Sequence, residues 1–142
     1  MSFKSTLKLD SKIFNRGELE RTVSKVVVQT AKEFKQSTKD TMADSPHTGK
    51  TYTRGGDKGF TRRHQASRKG ERPAPDSGNL SKAIVDRRTG KFSVSVEIDE
   101  SIAPYGDILQ NKKLRKIMTE DDARIAEKVL VQRSNAALKN ML

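Results

Sequence analysis

An α+β fold is predicted by three observations. Two stretches, Leu19 to Phe34 and Ile125 to Met141, repeat apolar residues at helical spacing, and Lys91 to Ile98 alternates strictly between apolar and polar. A long N-terminal helix and a C-terminal helix are therefore expected to pack on a small antiparallel sheet, with Lys91 to Ile98 as a central or near-central strand. Residues 1–142 read as a single domain, with a polar basic arm at residues 43–76 projecting between the first helix and the sheet region.

Phe3, Leu7 and Leu9 suggest a short leading strand. Asn15 followed by Glu18 has the spacing of a capping box and predicts a helix start. Leu19, Val23, Val26, Val27, Ala31 and Phe34 then share one stripe, so the helix is expected from Arg16 to about Met42. Its polar C-terminal half has two readings: continued spine of the core, or a surface for a neighbouring copy. Ser45-Pro46, Gly55-Gly56, Gly59, Gly70 and Pro73-Ala74-Pro75 break periodic structure. Within that segment Thr51 to Thr53 suits one short strand. A loop this long is unusual in a compact domain, and ordering on assembly is expected.

Asp76 or Ser77 can cap a second helix carrying Leu80, Ala83 and Ile84, after which Val85 to Arg88 reads as extended and Thr89-Gly90 as a hairpin turn. Phe92, Val94, Val96 and Ile98 face one way and Ser93, Ser95 and Glu97 the other, which predicts a sheet with one wet face. Ala103-Pro104-Tyr105 opens a short amphipathic turn or helix through Leu109. Thr119 and Asp122 form a second capping pair, and Ile125, Ala126, Val129, Leu130, Ala137 and Met141 form the stripe of the last helix. Glu120, Asp121 and Asp122 suit its positive N-terminal end.

Composition narrows the function classes. Hydrophobic residues make up 32% of the chain, against roughly 45 to 50% in ordinary domains, so one subunit has a thin core that burial against copies would supplement. The formal charge is +11, and it is uneven: residues 48–88 hold eleven basic and four acidic groups, whereas residues 89–142 hold nine and eight. An excess of this kind favours an anionic partner, nucleic acid or an acidic protein surface. There is no cysteine, no apolar run of signal-peptide length at MSFKSTLKLD and no stretch able to span a bilayer, so a soluble protein made in the cytoplasm is expected.

Candidate chemistry is sparse. Thr48-Gly49-Lys50-Thr51 lacks the glycine five residues earlier that a phosphate loop requires, since position 44 is aspartate. His47 and His64 are the only histidines, with no cysteine and no carboxylate cluster at ligand spacing, so no metal or cofactor is expected. Glu97, Asp99 and Glu100 read as a solvated strand end. No acid–base or nucleophile arrangement is visible, and an enzyme is not expected. Lys50, Arg54, Lys58, Arg62, Arg63, Arg68, Lys69 and Arg72 are the candidate contact residues. They have three readings: a solvated loop, neutralisation of acidic patches on an adjacent subunit, or contact with DNA phosphates without base readout.

The succession Gly49 to Tyr52 (GKTY), Arg54-Gly55-Gly56, His64-Gln65-Ala66-Ser67, Gly70-Glu71, Pro73-Ala74-Pro75 and Asp76-Ser77-Gly78-Asn79-Leu80 with Ile84 resembles the neck or tail-completion proteins of long-tailed double-stranded DNA bacteriophages. The resemblance covers about Thr48 to Gln110, and the chain departs from it at Gln110-Asn111-Lys112-Lys113, where the family commonly has an acidic residue and a Gly-Thr pair. It implies a non-catalytic virion subunit of a ring of six or twelve copies, at the junction of head and tail. The implied partners are the head connector and the tail-terminator or tail proteins, with non-specific contact to DNA in the channel. A tail terminator or assembly factor of the same particle, and a free-standing basic nucleic-acid-binding module, are the alternatives. Removing Phe60 to Arg72 is expected to leave a folded subunit unable to assemble.

Overall fold

The computed structural model describes residues 16–55, 61–74, 78–111 and 115–141, with the backbone alone at Arg16, Arg54, Gly55, Thr61, Arg62 and Asp107. The expected strand at Phe3 to Leu9 and the caps at Asn15, Asp76 and Ser77 lie outside the described residues. The elements run α1 (Arg16–Asp44), β1 (Thr51–Gly55), β2 (Thr61–Gln65), α2 (Asn79–Ala83), β3 (Ile84–Gly90), β4 (Ser93–Ile98), α3 (Gly106–Asn111) and α4 (Glu120–Met141). This is an α+β fold with long helices at either end and two antiparallel pairs, β1 with β2 and β3 with β4. Among the described residues no helix is long and apolar enough to cross a membrane.

The chain divides into two compact units. The first takes α1 through Gln36, Val85–Glu97, and α4 with its capping Thr119. Its interior is Leu19, Val23, Val27, Ala31 and Phe34 from α1, Val94 and Val96 from β4, and Ala126 and Leu130 from α4. The α1 residues recur every three or four positions, so one face of the helix is removed from water. Thr30 is also buried, and its hydroxyl donates to the Val26 carbonyl at 2.8 Å, which removes the cost of an unpaired polar group. Ion pairs fasten the rim: Lys35 to Asp86, Lys91 to Glu20, Arg87 to Glu97 and Arg133 to Glu33. The Lys35 ammonium holds the Asp86 carboxyl below its ordinary range, and hydrogen bonds from Arg133 and Gln29 do the same for Glu33.

Four expectations are corrected in this unit. Among the described residues β4 pairs with β3 alone and is not central. Strand β3 continues through Gly90 and the turn falls at Lys91-Phe92, because the Arg88 guanidinium donates to the Gly90 and Lys91 carbonyls and the Thr89 and Ser93 hydroxyls bond across the turn at 2.9 Å. The face expected to be wet is closed at Ser95, only 4% exposed, beside the Arg87–Glu97 pair. On α4 the capping box forms as spaced: Thr119 N–H donates to the Asp122 carboxylate at 2.9 Å and Asp122 N–H to the Thr119 hydroxyl at 3.2 Å. Its buried stripe is Ala126, Leu130 and Ser134, and Ile125, expected in the core, is 62% exposed. A four-residue repeat turns the buried face away from Ile125.

The second unit takes α1 from Ser37, the chain onward to Ile84, and Ile98–Met118. Thr38 and Met42 are buried here, so the polar end of α1 continues as core spine. Leu80, Ala83, Ile84, Ala103, Ile117 and Met118 complete the interior. Helix α2 starts at Gly78, whose φ of 81° is left-handed and strains any side-chain-bearing residue. Gln110 makes three bonds: its amide donates to the Met118 carbonyl at 2.6 Å, and its carbonyl accepts from Ile117 N–H at 2.8 Å and Met118 N–H at 2.9 Å. A carboxylate could accept both N–H groups but not donate to Met118.

Candidate functional site

The polar arm is a built hairpin in the second unit. Strands β1 and β2 pair antiparallel with Tyr52 opposite His64, Thr53 opposite Arg63 and Arg54 opposite Arg62. Its base is closed by two backbone bonds, Gly49 N–H to the Ala66 carbonyl at 2.8 Å and Ala66 N–H to the Lys50 carbonyl at 3.0 Å. Gly49 is the residue that permits this approach: a Cβ there would lie 2.5 Å from the Ala66 carbonyl oxygen, a backbone atom that cannot step aside. The phosphate-loop resemblance ends at the same place, since Lys50 and Thr51 lead into a strand and the Gly49 amide is already used.

Below the hairpin a carboxylate clamp holds the returning chain. The Glu71 carboxylate accepts from the Thr48 hydroxyl, from Thr48 N–H at 3.0 Å and from Arg68 N–H at 2.7 Å. These bonds, the Thr48 hydroxyl foremost, bring its pKa from 4.5 down to about 2. Because the folded value lies below the ordinary one, the clamp's stabilisation is complete above about pH 4.5 and is lost as pH falls toward 2. A carboxyl-carbon NMR titration of Glu71 is expected to give a midpoint near 2, with the signal absent in Glu71→Gln. A midpoint in the usual glutamate range would mean that the clamp does not form.

The return leg is anchored within its own unit, unlike the arm expected to order only on assembly. Ser67 and Pro73 are buried, the Arg115 guanidinium donates to the Ser67 carbonyl at 3.0 Å, and Arg72 donates to the Ile117 carbonyl at 2.7 Å. Tyr52, His64, Ser67, Asn79, Tyr105 and Arg115 contribute to a pocket of about 540 Å³ at this base. Sequence reasoning misses Arg115 and Glu71 as anchors. The signal for Glu71 is its place three residues after Arg68, across the Gly70 turn, where φ is 91°.

The candidate contact residues thus separate. Lys50, Arg63, Arg68 and Lys69 are exposed, with the Lys50 ammonium 5.9 Å from the Tyr52 ring centre. Arg54 and Arg62 are brought opposite each other in the ladder, and Lys58 lies outside the described residues. Arg72 is half-buried and committed to Ile117, which makes it a structural residue. Among the described residues, Lys50, Arg63 and Lys69 have no carboxylate within ion-pair distance, whereas the first unit pairs Lys35, Arg87, Lys91 and Arg133 internally. Also among the described residues, no three His, Asp or Glu side chains are placed to hold a metal ion. Comparison with family models, curated proteins and solved structures gave no match to this chain, so the functional reading rests on its residues.

Proposed function

We propose that this protein is a structural subunit of a phage neck or tail-completion ring, made in the host cytoplasm and built into the virion between the head connector and the tail, around the DNA channel. One observation carries the reading: the residues behind the resemblance are spent on architecture. Gly49 and Ala66 close the hairpin, Glu71 clamps its base and Gly78 starts α2, while Lys50, Arg63 and Lys69 are exposed without an ion-paired carboxylate among the described residues. Architecture of this kind presents charge to an anionic neighbour, either DNA phosphate or an acidic subunit surface.

Native mass measurement with a salt series of duplex-DNA binding tests it. The purified chain is expected to bind DNA weakly near 0.15 M salt and to form closed rings, six- or twelvefold, when neck partners are added. A chain that stays monomeric with those partners, yet holds DNA tightly with a slope of about −0.9 per phosphate neutralised, would instead be a free-standing nucleic-acid module.

A further inference from the structure

The chain has two tyrosines and no tryptophan, and the fold brings both tyrosines to one pocket. Tyr52 comes from β1, Tyr105 from the turn before α3 and Arg115 from the segment after it, all within the second unit. They line the pocket of about 540 Å³ at the hairpin base, a volume inside the roughly 300 to 1,000 Å³ range of ligand sites. Tyr52 is 48% and Tyr105 45% exposed, and their hydroxyls have no hydrogen-bond partner among the described residues. The Arg115 guanidinium spends its Nε on the Ser67 carbonyl at 3.0 Å, and its two terminal nitrogens are likewise without a partner there. Pro73, Leu80 and Leu109 supply apolar wall, and among the described residues no carboxylate lines the pocket. Donors are gathered here without an acceptor.

We propose that this pocket binds the carboxylate of an acidic peptide, with an apolar neighbour of that residue against Pro73, Leu80 and Leu109, a site present in the single chain whether or not rings form. With Nε engaged, the guanidinium still presents its two terminal nitrogens side by side, which matches the two oxygens of one carboxylate, and the tyrosine hydroxyls can donate further bonds. Tyrosine also brings a large apolar ring to a binding surface at little cost in side-chain freedom. Nucleic acid fits less well. A strand needs a run of cations along its phosphates and open aromatic faces for its bases, whereas one guanidinium lines this pocket and the Lys50 ammonium already lies over the Tyr52 ring, 5.9 Å from its centre. A single guanidinium suits a single anionic group.

Tyrosine emission of the full chain tests the site directly, because both of its tyrosines line the pocket and no tryptophan masks them. Titration with N-acetylated, C-amidated Leu-Asp-Leu is expected to change that emission saturably at millimolar concentration or below. The matching Leu-Asn-Leu peptide is expected to bind about tenfold or more weakly, since bonds to a charged acceptor are the stronger ones. Leu-Asn-Leu with a free C-terminus separates two sources of carboxylate: binding equal to Leu-Asp-Leu assigns the site to chain ends, and weak binding assigns it to acidic side chains, either result supporting the site. Arg115→Lys keeps the charge and loses the paired donors, and is expected to raise the dissociation constant about tenfold. Tyr105→Phe is expected to raise it several-fold with an unchanged melt, read from Tyr52. If Arg115→Lys loosens the Ser67 tie and shifts the melt, the peptide pair and Tyr105→Phe still decide. Equal binding of the amidated Asp and Asn peptides, no saturable change, or a single-stranded oligothymidylate that binds more tightly than Leu-Asp-Leu and is weakened by Tyr105→Phe would overturn the proposal.

Discussion

Val94→Asp is expected to abolish cooperative folding of the first unit. Val94 is 3% exposed on β4, and its neighbour along the same face, Val96, is fully buried. A carboxylate at that position loses its hydration, and the apolar interior offers no compensating cation. The cost of an unpaired buried charge is several kcal/mol, about 4 or more, against a total stability of roughly 5 to 15 kcal/mol for a domain. A thermal melt followed by circular dichroism is expected to lose its transition or to drop by roughly 10 °C or more. Val27→Asp, 5% exposed on α1, is expected to behave alike. Val131→Asp is the control: the side chain is 58% exposed on α4, and its melt is expected to stay near that of the wild type. A cooperative Val94→Asp melt within a few degrees of wild type would mean that β4 is not part of the interior.

The helices were legible because their signals are local. The α1 stripe spans many turns, so an error at one position does not move the element, and the expected end at Met42 falls within two residues of Asp44. The Thr119–Asp122 box is a contact between residues three apart, and spacing suffices to see it. Where partners are distant in sequence, the reading fails. The exposure of Ile125 depends on which α4 face meets the rest of its unit, and periodicity alone does not separate positions 125 and 126. The turn at Lys91-Phe92 depends on the Arg88 side chain reaching forward, which turn propensities favouring Thr89-Gly90 do not encode. The arm is the largest difference. Its glycines and prolines signal broken periodicity correctly, but the closure by Gly49 and Ala66 and the ties from Arg115 and Arg72 join residues 17 to 48 positions apart. Composition registers the polarity of such a segment and is blind to its bonds.

Replacing residues 51–65 with a two-residue Gly-containing turn is expected to leave both units folded and to abolish ring assembly. The cut follows the bonding: Lys50 and Ala66 already face each other at 3.0 Å, so their ends can be joined without disturbing the base. The Glu71 clamp, the Arg72–Ile117 bond, the Arg115–Ser67 bond and buried Pro73 all remain. The excision of Phe60 to Arg72 suggested by composition is the wrong cut, because it removes Ser67, Glu71 and Arg72 and leaves Arg115 and the Ile117 carbonyl without those partners. An unpaired buried group costs about 1 to 3 kcal/mol, so a failure of that variant would not separate folding from assembly. The hairpin replacement separates them. Its melting temperature is expected within about 5 °C of wild type, since short surface connections are cheap to close, while native mass with neck partners shows no ring. Arg54, Lys58, Arg62 and Arg63 leave with the hairpin. If DNA is the anion engaged, the slope of log K against log salt becomes shallower by up to roughly 3 to 4, about 0.9 for each phosphate no longer neutralised. If an acidic subunit is the partner, that slope is unchanged and binding to the neighbour disappears instead. Normal particles from this variant would remove the hairpin from assembly altogether, and with it the main support for a ring subunit.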